Sequence, residues 1–507
     1  MKIFKEKDNT RISRLRKNTI SPLCFRVLTI IFGLILPRLY LKYYGSVTNG
    51  LINSISQFLN IISLLELGIG TIVESALYKP LAEKNISQIS AIVVSAKKFY
   101  RFLANILLIY VVILIFTFPH IVHEKYSLFY TGFLIVSMSI GLFANYYFGI
   151  INNLLINADQ RGYVQYNIQI VILVLNSAAC IIMITHGVNI QIVKLLSGVL
   201  YLIRPIYLYY YVQKNYEVNW NQKYDADPLE QKWNGIAQHV ANLVLENTDV
   251  IVLTLFASLS TVSIYSIYSM IVSSLERIFS ALTNGILALW GELWARNEFS
   301  TLKRQFRKTE WAINNITIFI YGCTYVLIIP FIQVYTRGIT DENYVAPQFA
   351  ILITLAYLIR CLQRPYTTLC FAANKYKDTQ WCYIVTALIN ILISVVFVKE
   401  YGLIGVAIGT LCAMMFELIW MMQYCYRKIL CISILPALKI FLFDGVVWVF
   451  VSIISKRVAL KAISYVSWGI MALKVAFIWM IILCIANYIL YKKYIRANSC
   501  KSEADSI

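Results

Sequence analysis

Long apolar runs recur from one end of the sequence to the other, and they constrain the fold more than any other feature. Runs of about 20 residues, long enough to cross a bilayer as a helix, lie at Ile20–Tyr43, Ile168–Thr185, Phe349–Leu369 and Val475–Tyr491. Charged residues make up only 14% of the 507 residues, whereas a soluble protein of this size carries about 25%. The pattern predicts an all-α integral membrane protein.

Polar breaks between the apolar blocks predict about 14 transmembrane helices, with boundaries good to a few residues. Most of the 45 lysines and arginines fall in the loops of one side. The positive-inside rule therefore predicts a multi-pass membrane protein with both termini cytoplasmic. The predicted spans are 20–43, 51–78, 90–118, 128–156, 164–185, 190–213, 232–257, 261–293, 310–334, 346–372, 380–398, 402–425, 435–455 and 464–491.

The order of features repeats along the chain at a shift of about 215 residues, as expected for an internal duplication. Gly70 falls on Gly285, Gly187 falls on Gly402, and an Ala-Asp turn after the fourth span matches an Ala-Asn turn after the tenth. Two pseudo-symmetric six-helix lobes are therefore expected. The predicted organisation is 1–19 basic amphipathic lead-in, 20–213 N-lobe, 214–231 cytoplasmic linker, 232–427 C-lobe, 428–491 helices 13 and 14, and 492–507 cytoplasmic tail.

Charged residues at membrane depth mark a substrate path or structural ion pairs, because a lipid-facing ion is costly. The first span carries Arg26 and Arg38, and the second carries Glu66 and Glu74. The two acids are separated by about 80° around the helix, so they can share one broad polar face. They can couple transport to a proton or sodium ion, or they can only neutralise the two arginines.

Two stacked arginines, Arg360 and Arg364, occupy the same face of the tenth span. Like charges four residues apart repel unless an anion or an acidic helix faces them. This pair is the leading candidate for an anion clamp. The alternative is an ion pair with Glu246 and Asp249, which share a face of the seventh span.

The eighth span, the repeat mate of the second, carries Glu276 and Arg277 next to each other. Adjacent helical residues point about 100° apart, so the two side chains do not simply neutralise each other. Amides and tyrosines that could contact sugars, or hydrogen-bond neighbouring helices, form a second group. Its members are Asn145, Asn152, Asn153, Tyr265 and Tyr268.

Other functional classes are disfavoured by the motifs. The formal charge of +20 is explained by the basic loops of one side, so no nucleic-acid partner is expected. The 11 cysteines lie mostly in apolar helices without CxxC spacing, so no metal is expected. The sequence has no Walker A, GxSxG or HExxH motif. We expect no enzyme activity and no cofactor, apart from a coupling H⁺ or Na⁺.

Three stretches carry a resemblance to a known family. Residues 38–85, the run TDVIVLTLFASLSTVSIYSIYSMI (248–271) and the run INADQRGY (156–163) resemble polysaccharide-biosynthesis (Wzx-type) flippases of the multidrug/oligosaccharidyl-lipid/polysaccharide exporter superfamily. The resemblance covers roughly residues 20–427. The last two spans match the fourteen-helix variants.

The resemblance implies a V-shaped pair of bundles around a cationic cavity. It implies that the chain moves an undecaprenyl-diphosphate-linked oligosaccharide to the outer leaflet, as a monomer working beside a polymerase and glycosyltransferases. Arg38 and Arg277 match the cavity arginines of the first and eighth helices, whereas Glu66 and Glu74 depart from the basic second helix of the peptidoglycan-precursor flippase. The alternatives are an ion-coupled drug or metabolite antiporter of the same superfamily, a membrane-embedded polysaccharide polymerase, and a scaffold without a substrate.

Overall fold

The computed structural model describes residues 11–66, 68–122, 124, 126–222, 236–455 and 457–490, and all its regular structure in these ranges is helical. Ten of the described helices are long and apolar enough to cross a membrane. Each of the predicted spans coincides with a helix or with a pair of consecutive helices, which confirms the all-α membrane fold. The helices are α1 (Arg11–Asn60), α2 (Ile69–Glu83), α3 (Ile86–Ile121), α4 (Leu128–Ala144), α5 (Ile150–Ala158), α6 (Tyr163–Thr185), α7 (Ile190–Tyr201), α8 (Ile203–Asn215), α9 (Ile236–Phe256), α10 (Leu259–Ala295), α11 (Phe299–Tyr335), α12 (Pro347–Leu362), α13 (Arg364–Ala372), α14 (Tyr376–Tyr401), α15 (Leu403–Tyr424), α16 (Leu435–Ser455) and α17 (Tyr465–Leu490).

Glycines create the two breaks that shape the first and second spans. Inside α1, Gly45 has φ 83° and ψ 170°, so the helix kinks where the first span meets the second. The second span continues as a 3₁₀ segment, Ile61–Glu66, and restarts as α2 after Gly68, which has φ 71°. These φ values favour glycine because they are costly for residues with a Cβ. The second span is therefore discontinuous directly after Glu66.

The internal repeat is visible in the local backbone. Gln160 and Asn374 both adopt left-handed φ angles, 57° and 56°, at an interval of 214 residues. In each turn the next residue donates its N–H back to the helix, from Arg161 to Ile156 at 3.0 Å and from Lys375 to Cys370 at 2.9 Å. The helices before the turns are also interrupted at equivalent positions. A π segment (145–149) separates α4 from α5, and Gln363 separates α12 from α13.

The chain divides into two compact units, Met1–Ser266 and Ile267–Ile507. In the first unit, Asn49 of α1 donates to Ser263 of α10 at 2.8 Å, and the hydroxyls of Ser54 and Thr254 are hydrogen-bonded at 2.8 Å. The unit therefore includes α9 and the start of α10 in addition to the six predicted spans of the N-lobe. The boundary between the N-lobe and the C-lobe at the linker, residues 214–231, remains a prediction from the sequence repeat.

The INADQRGY run (156–163) contributes to a polar cluster in the first unit, at the end of the fourth span. Arg161 forms an ion pair with Asp159 at 2.8 Å, and the hydroxyl of Tyr216 donates to the same Asp159 oxygen at 2.7 Å. Burial raises the pKa of Tyr216 well above its ordinary value, and the neighbouring Asp159 raises it further, so the phenol stays protonated. The start of the linker is thereby fixed to the end of the fourth span.

The last described helix, α17, packs on α11 in the second unit through a close contact at Gly322. A Cβ on Gly322 would lie 2.2 Å from the indole ring of Trp479, which is fully buried. We expect Gly322→Ala to force the ring out of place and to lower stability by about 1–3 kcal/mol. The thermal unfolding midpoint in detergent measures this. Gly445→Ala in α16, where a Cβ meets no atom within 4 Å, is the matched control, and an equal midpoint for both variants would contradict the packing.

Candidate functional site

The break between α12 and α13 lies within the tenth predicted span, between Arg360 and Arg364. Pro365 has no N–H, so the regular hydrogen-bond ladder cannot continue through it. The N–H groups of Tyr366 and Thr367 both bond to the carbonyl of Gln363, at 3.0 and 3.1 Å. Arg360 ends α12 and Arg364 begins α13. The two arginines therefore lie on either side of a helix break in the tenth predicted span, and their shared face remains a prediction.

An acid faces Arg364, as the stacking of like charges requires. The Glu276 carboxylate of α10 forms a close ion pair with the Arg364 guanidinium. Glu276 is buried, whereas 26% of the Arg364 side chain remains exposed. Both residues were candidate site residues in the sequence, but their partnership was not foreseen. This acid belongs to the eighth predicted span.

A second buried acid, Glu417, lies close to the two arginines. Glu417 of α15 is 2% exposed and accepts a hydrogen bond from the Gln363 amide at 2.7 Å. The charges of Arg360 and Arg364 both act on this carboxylate. Arg360 also lies over the ring of Tyr357, with 5.9 Å from Cζ to the centroid. We call Glu276, Arg360, Gln363, Arg364 and Glu417 the arginine cluster. It holds two cations and two carboxylates within the second unit.

In the first unit, each acid of the second span contacts a polar side chain of another helix. Glu66, at the end of the 3₁₀ segment, accepts a hydrogen bond from the hydroxyl of Tyr100 at 3.1 Å. Glu74 of α2 accepts one from the Asn157 amide at 3.1 Å. Arg38 is partly exposed and Arg26 is exposed. Within the described residues, Glu74 and Arg26 form no ion pair.

A chain of amides connects Glu74 with Arg204, which the sequence offers only as a weaker candidate among the charges at membrane depth. The Gln165 amide donates to Asn157 at 2.9 Å, and Arg204 donates to the Gln165 oxygen at 3.3 Å. The oxygen of Gln169 accepts from the same guanidinium at 2.8 and 3.1 Å. The acid and the base are thus joined through two intervening amides, and the chain crosses α2, α5, α6 and α8.

Glu246, Asp249 and Arg277, which the sequence offers as site residues near the start of the second repeat, differ in burial and in their contacts. Asp249 is buried and accepts a hydrogen bond from the hydroxyl of Tyr265 at 2.8 Å in the first unit. Glu246, one turn earlier, is exposed, and Arg277 is exposed on α10. The structure therefore brings Tyr265 and Asp249 together, and it leaves Arg277 outside the arginine cluster.

The remaining sugar-contact candidates serve the fold in this conformation. Tyr268 is fully buried, and its hydroxyl donates to the carbonyl of Tyr344 at 2.7 Å and accepts from the N–H of Ala346 at 3.1 Å. Asn152 is buried and donates to the carbonyl of Phe148 in the π segment at 2.6 Å. Asn145, which begins that segment, and Asn153 are partly exposed. Their role in binding sugars remains a prediction.

A buried carboxylate outside the predicted site lies near the start of α11. Glu310 is 8% exposed and accepts hydrogen bonds from the hydroxyls of Tyr366 and Tyr426. Glu310 was not a site candidate in the sequence, where it is the first residue of the ninth predicted span. Its two tyrosine partners lie 56 and 116 residues away, so no local pattern points to them.

Comparisons with known proteins place this fold among membrane transporters. No protein-family model matches the sequence, and no curated protein matches it. Among solved structures, the inward closed conformation of the lipid II flippase MurJ is similar with a TM-score of 0.70 and 15% identity, covering 94% of this chain and 99% of that chain. An inward-facing multidrug resistance MATE family transporter of the MOP superfamily has a TM-score of 0.62 and 12% identity, with 80% and 98% covered.

A eukaryotic protein shows the same likeness. The MATE transporter AtDTX14 has a TM-score of 0.61 and 11% identity, with 83% of this chain and 97% of that chain covered. At identities this low the likeness establishes the fold and not the substrate. This multi-pass membrane chain has the all-helical fold that is shared by MurJ and the MATE transporters.

Proposed function

We propose that this chain is a flippase of the Wzx type, which moves an undecaprenyl-diphosphate-linked oligosaccharide from the inner to the outer leaflet of a bacterial plasma membrane. The glycan would be a unit of a capsule, an exopolysaccharide or an O-antigen-type polymer. The observation that carries the proposal is the arginine cluster, in which Arg364 is partly exposed and paired with one carboxylate. The fold supports it through the likeness to a lipid II flippase.

A diphosphate needs fixed cations because it cannot cross the hydrocarbon unaided. The Arg364 guanidinium presents a planar fork of donors that matches phosphate oxygens as well as carboxylate oxygens. In the proposed cycle the diphosphate takes the place of Glu276 at Arg364, and Arg360 supplies the second cation. The pair with Glu276 keeps the arginine compensated when no substrate is bound.

Movement across the membrane would proceed by alternating access, with rocking of one six-helix lobe against the other. The polyprenyl tail stays in the bilayer while the headgroup passes through the protein. Arg26, Arg38 and Arg277 are proposed to line the same route, and Glu66 or Glu74 to take part in coupling to H⁺ or Na⁺. Glycosyltransferases and a polymerase of the same pathway would supply and consume the lipid-linked unit.

Cation antiport is the second candidate, and the acids of the first unit favour it. Glu66 and Glu74 are both partly exposed, and partly exposed carboxylates suit an organic cation. Under this alternative the acids, rather than the arginines, would determine transport.

Reconstituted vesicles distinguish the two functions. The purified chain is incorporated into liposomes with a fluorescent undecaprenyl-diphosphate-linked saccharide, and a membrane-impermeant quencher reports how much of the lipid reaches the outer leaflet. We expect the chain to increase the quenched fraction, and a fluorescent organic cation to remain untransported. Transport of the cation without movement of the diphosphate lipid would support the antiporter and refute the flippase.

A further inference from the structure

Among the described residues, the interior of the second unit contains buried polar atoms that have no hydrogen-bond partner. Asn314 is 3% exposed and Gln363 is 7% exposed. Within the described residues, neither the Asn314 Oδ1 atom nor the Gln363 Oε1 atom has a hydrogen-bond partner. The hydroxyl of Thr317, which is fully buried, has none either. Buried polar atoms of this kind are normally bonded to protein or to ordered water.

The helix register puts two of these atoms at one depth. The hydroxyl of Tyr366 on α13 contacts Glu310 on α11, which aligns two helices that belong to the consecutive ninth and tenth predicted spans and therefore run in opposite directions. Asn314 lies one turn beyond Glu310, about 6 Å along α11, and Gln363 lies about 4.5 Å before Tyr366. Both displacements run in the same direction. The two unsatisfied amide oxygens are therefore at nearly the same level.

Both ends of this region carry a buried carboxylate. At one end, Glu310 accepts hydrogen bonds from Tyr426 at 2.8 and 2.9 Å in addition to the bond from Tyr366. At the other end, the Gln363 amide donates to Glu417 at 2.7 Å. The Gln363 side chain thus donates from its nitrogen to Glu417. Its oxygen has no partner within the described residues and lies at nearly the same depth as Asn314. We call the two acids, the amide oxygens of Asn314 and Gln363 and the Thr317 hydroxyl the polar column; all five residues are buried.

We propose that the second unit binds a short chain of water molecules between Glu310 and Glu417, and that this chain carries protons to the arginine cluster. A water molecule satisfies the column because it can donate to both amide oxygens and still accept from a hydroxyl. The proton step balances: a hydronium ion gives its proton to the Glu417 carboxylate, which leaves a carboxylic acid and a water molecule. Acid chains within membrane helices serve as proton relays in this way.

The groups around the two acids limit what else could hold the proton. Glu310 is faced by Tyr366 of α13 and by Tyr426 and Cys425 of the π segment 425–429, with the charge of Arg307 on its own helix. Glu417 is faced by Arg360, Gln363 and Arg364 of the tenth span, and by Cys382 and Tyr383 of α14. Protonation of Glu417 removes one negative charge from the arginine cluster. The arginine cluster should then bind anions more tightly. This consequence alone rests on the proposed function.

Hydroxyl-radical labelling in ¹⁸O-water tests the hydrated column without any substrate, since radicals formed from bound water label buried side chains next to it. We expect labelled oxygen on Tyr366 and Tyr426, and none above background on Tyr321, whose buried hydroxyl bonds to the Val272 carbonyl. Labelling should not change when sodium is replaced by potassium. Background labelling of Tyr366 and Tyr426, or labelling that depends on sodium, would overturn the proposal.

Matched variants on one helix separate the column from general packing. Thr317→Val removes a hydroxyl that has no protein partner, whereas Thr324→Val removes one that bonds to the Ile320 carbonyl on α11. The first should reduce labelling of Tyr366 and Tyr426, and the second should not. Proton transfer is followed by the carbonyl stretch of protonated carboxylic acids in pH-difference infrared spectra. We expect loss of one band in Glu417→Gln, and an unchanged spectrum would refute proton delivery to Glu417.

Discussion

The charge-swapped double variant Glu276→Arg/Arg364→Glu is expected to fold with nearly wild-type stability and to lose flipping of the diphosphate lipid. Either single change places two like charges against each other in a buried site, where breaking a pair costs about 3–5 kcal/mol. The swap restores an ion pair between α10 and α13. It also puts a carboxylate at the exposed position of Arg364, where the proposed function requires a cation. Stability and flipping should therefore separate.

Thermal unfolding and the quenching assay on the same preparations measure this separation. Each single variant should unfold at a lower temperature than the double variant, and all three should fail to flip. The uncharged variant Glu276→Gln/Arg364→Gln covers the case in which the swapped protein does not fold, since two amides can still hydrogen-bond. A swapped or uncharged variant that flips at the wild-type rate would show that the pair only holds two helices together.

Gly45→Ala is expected to destabilise the junction between the first and second spans, although it adds only a single methyl group. The kink of α1 depends on φ 83° and ψ 170° at this residue, a region that only glycine adopts without strain, at a cost of about 1–3 kcal/mol for other residues. An alanine would favour a straight helix and would thereby disturb the junction between the first and second spans. The contacts of Asn49 and Ser54 with α9 and α10 lie directly after the kink.

Gly33→Ala in the same helix is the matched control for this substitution. A Cβ at Gly33 meets no atom within 4 Å, and its backbone is helical, so alanine should be neutral or slightly stabilising through its higher helix propensity. The yield of folded protein and the unfolding midpoint in detergent compare the two variants. Equal midpoints would contradict the assignment of the kink to Gly45.

The fold could be predicted from the sequence because lipid imposes simple rules on it. Apolar length and charge-biased loops located each of the spans. Periodicity could not predict which spans are continuous helices. Within the described residues, four spans are interrupted, at Gly68, at 145–149, at Leu202 and at Gln363, and apolar length alone does not distinguish an interrupted span from a continuous helix.

The candidate site could be predicted only in part, for a related reason. Arg360 and Arg364 stood out because two cations on one face of an apolar span are costly. Their partner Glu276 was recognised as an unusual residue, but which helix faces which depends on packing between distant segments. Gln363, Asn157 and Gln165 were not site candidates, since amides at membrane depth are common interhelical contacts. Their hydrogen bonds appear only when the helices are assembled.

Binding of undecaprenyl diphosphate, compared with the uncharged alcohol undecaprenol, tests the central claim most directly. Native mass spectrometry of the purified wild-type chain should show preference for the diphosphate lipid. Each charge-assisted contact is worth about 1.5–3 kcal/mol, so Arg360→Gln/Arg364→Gln should weaken that binding at least about tenfold. Arg296→Gln, which changes an exposed arginine paired with Glu292, should leave it unchanged. Equal binding of the diphosphate lipid by the wild-type chain and the Arg360→Gln/Arg364→Gln variant would contradict the account.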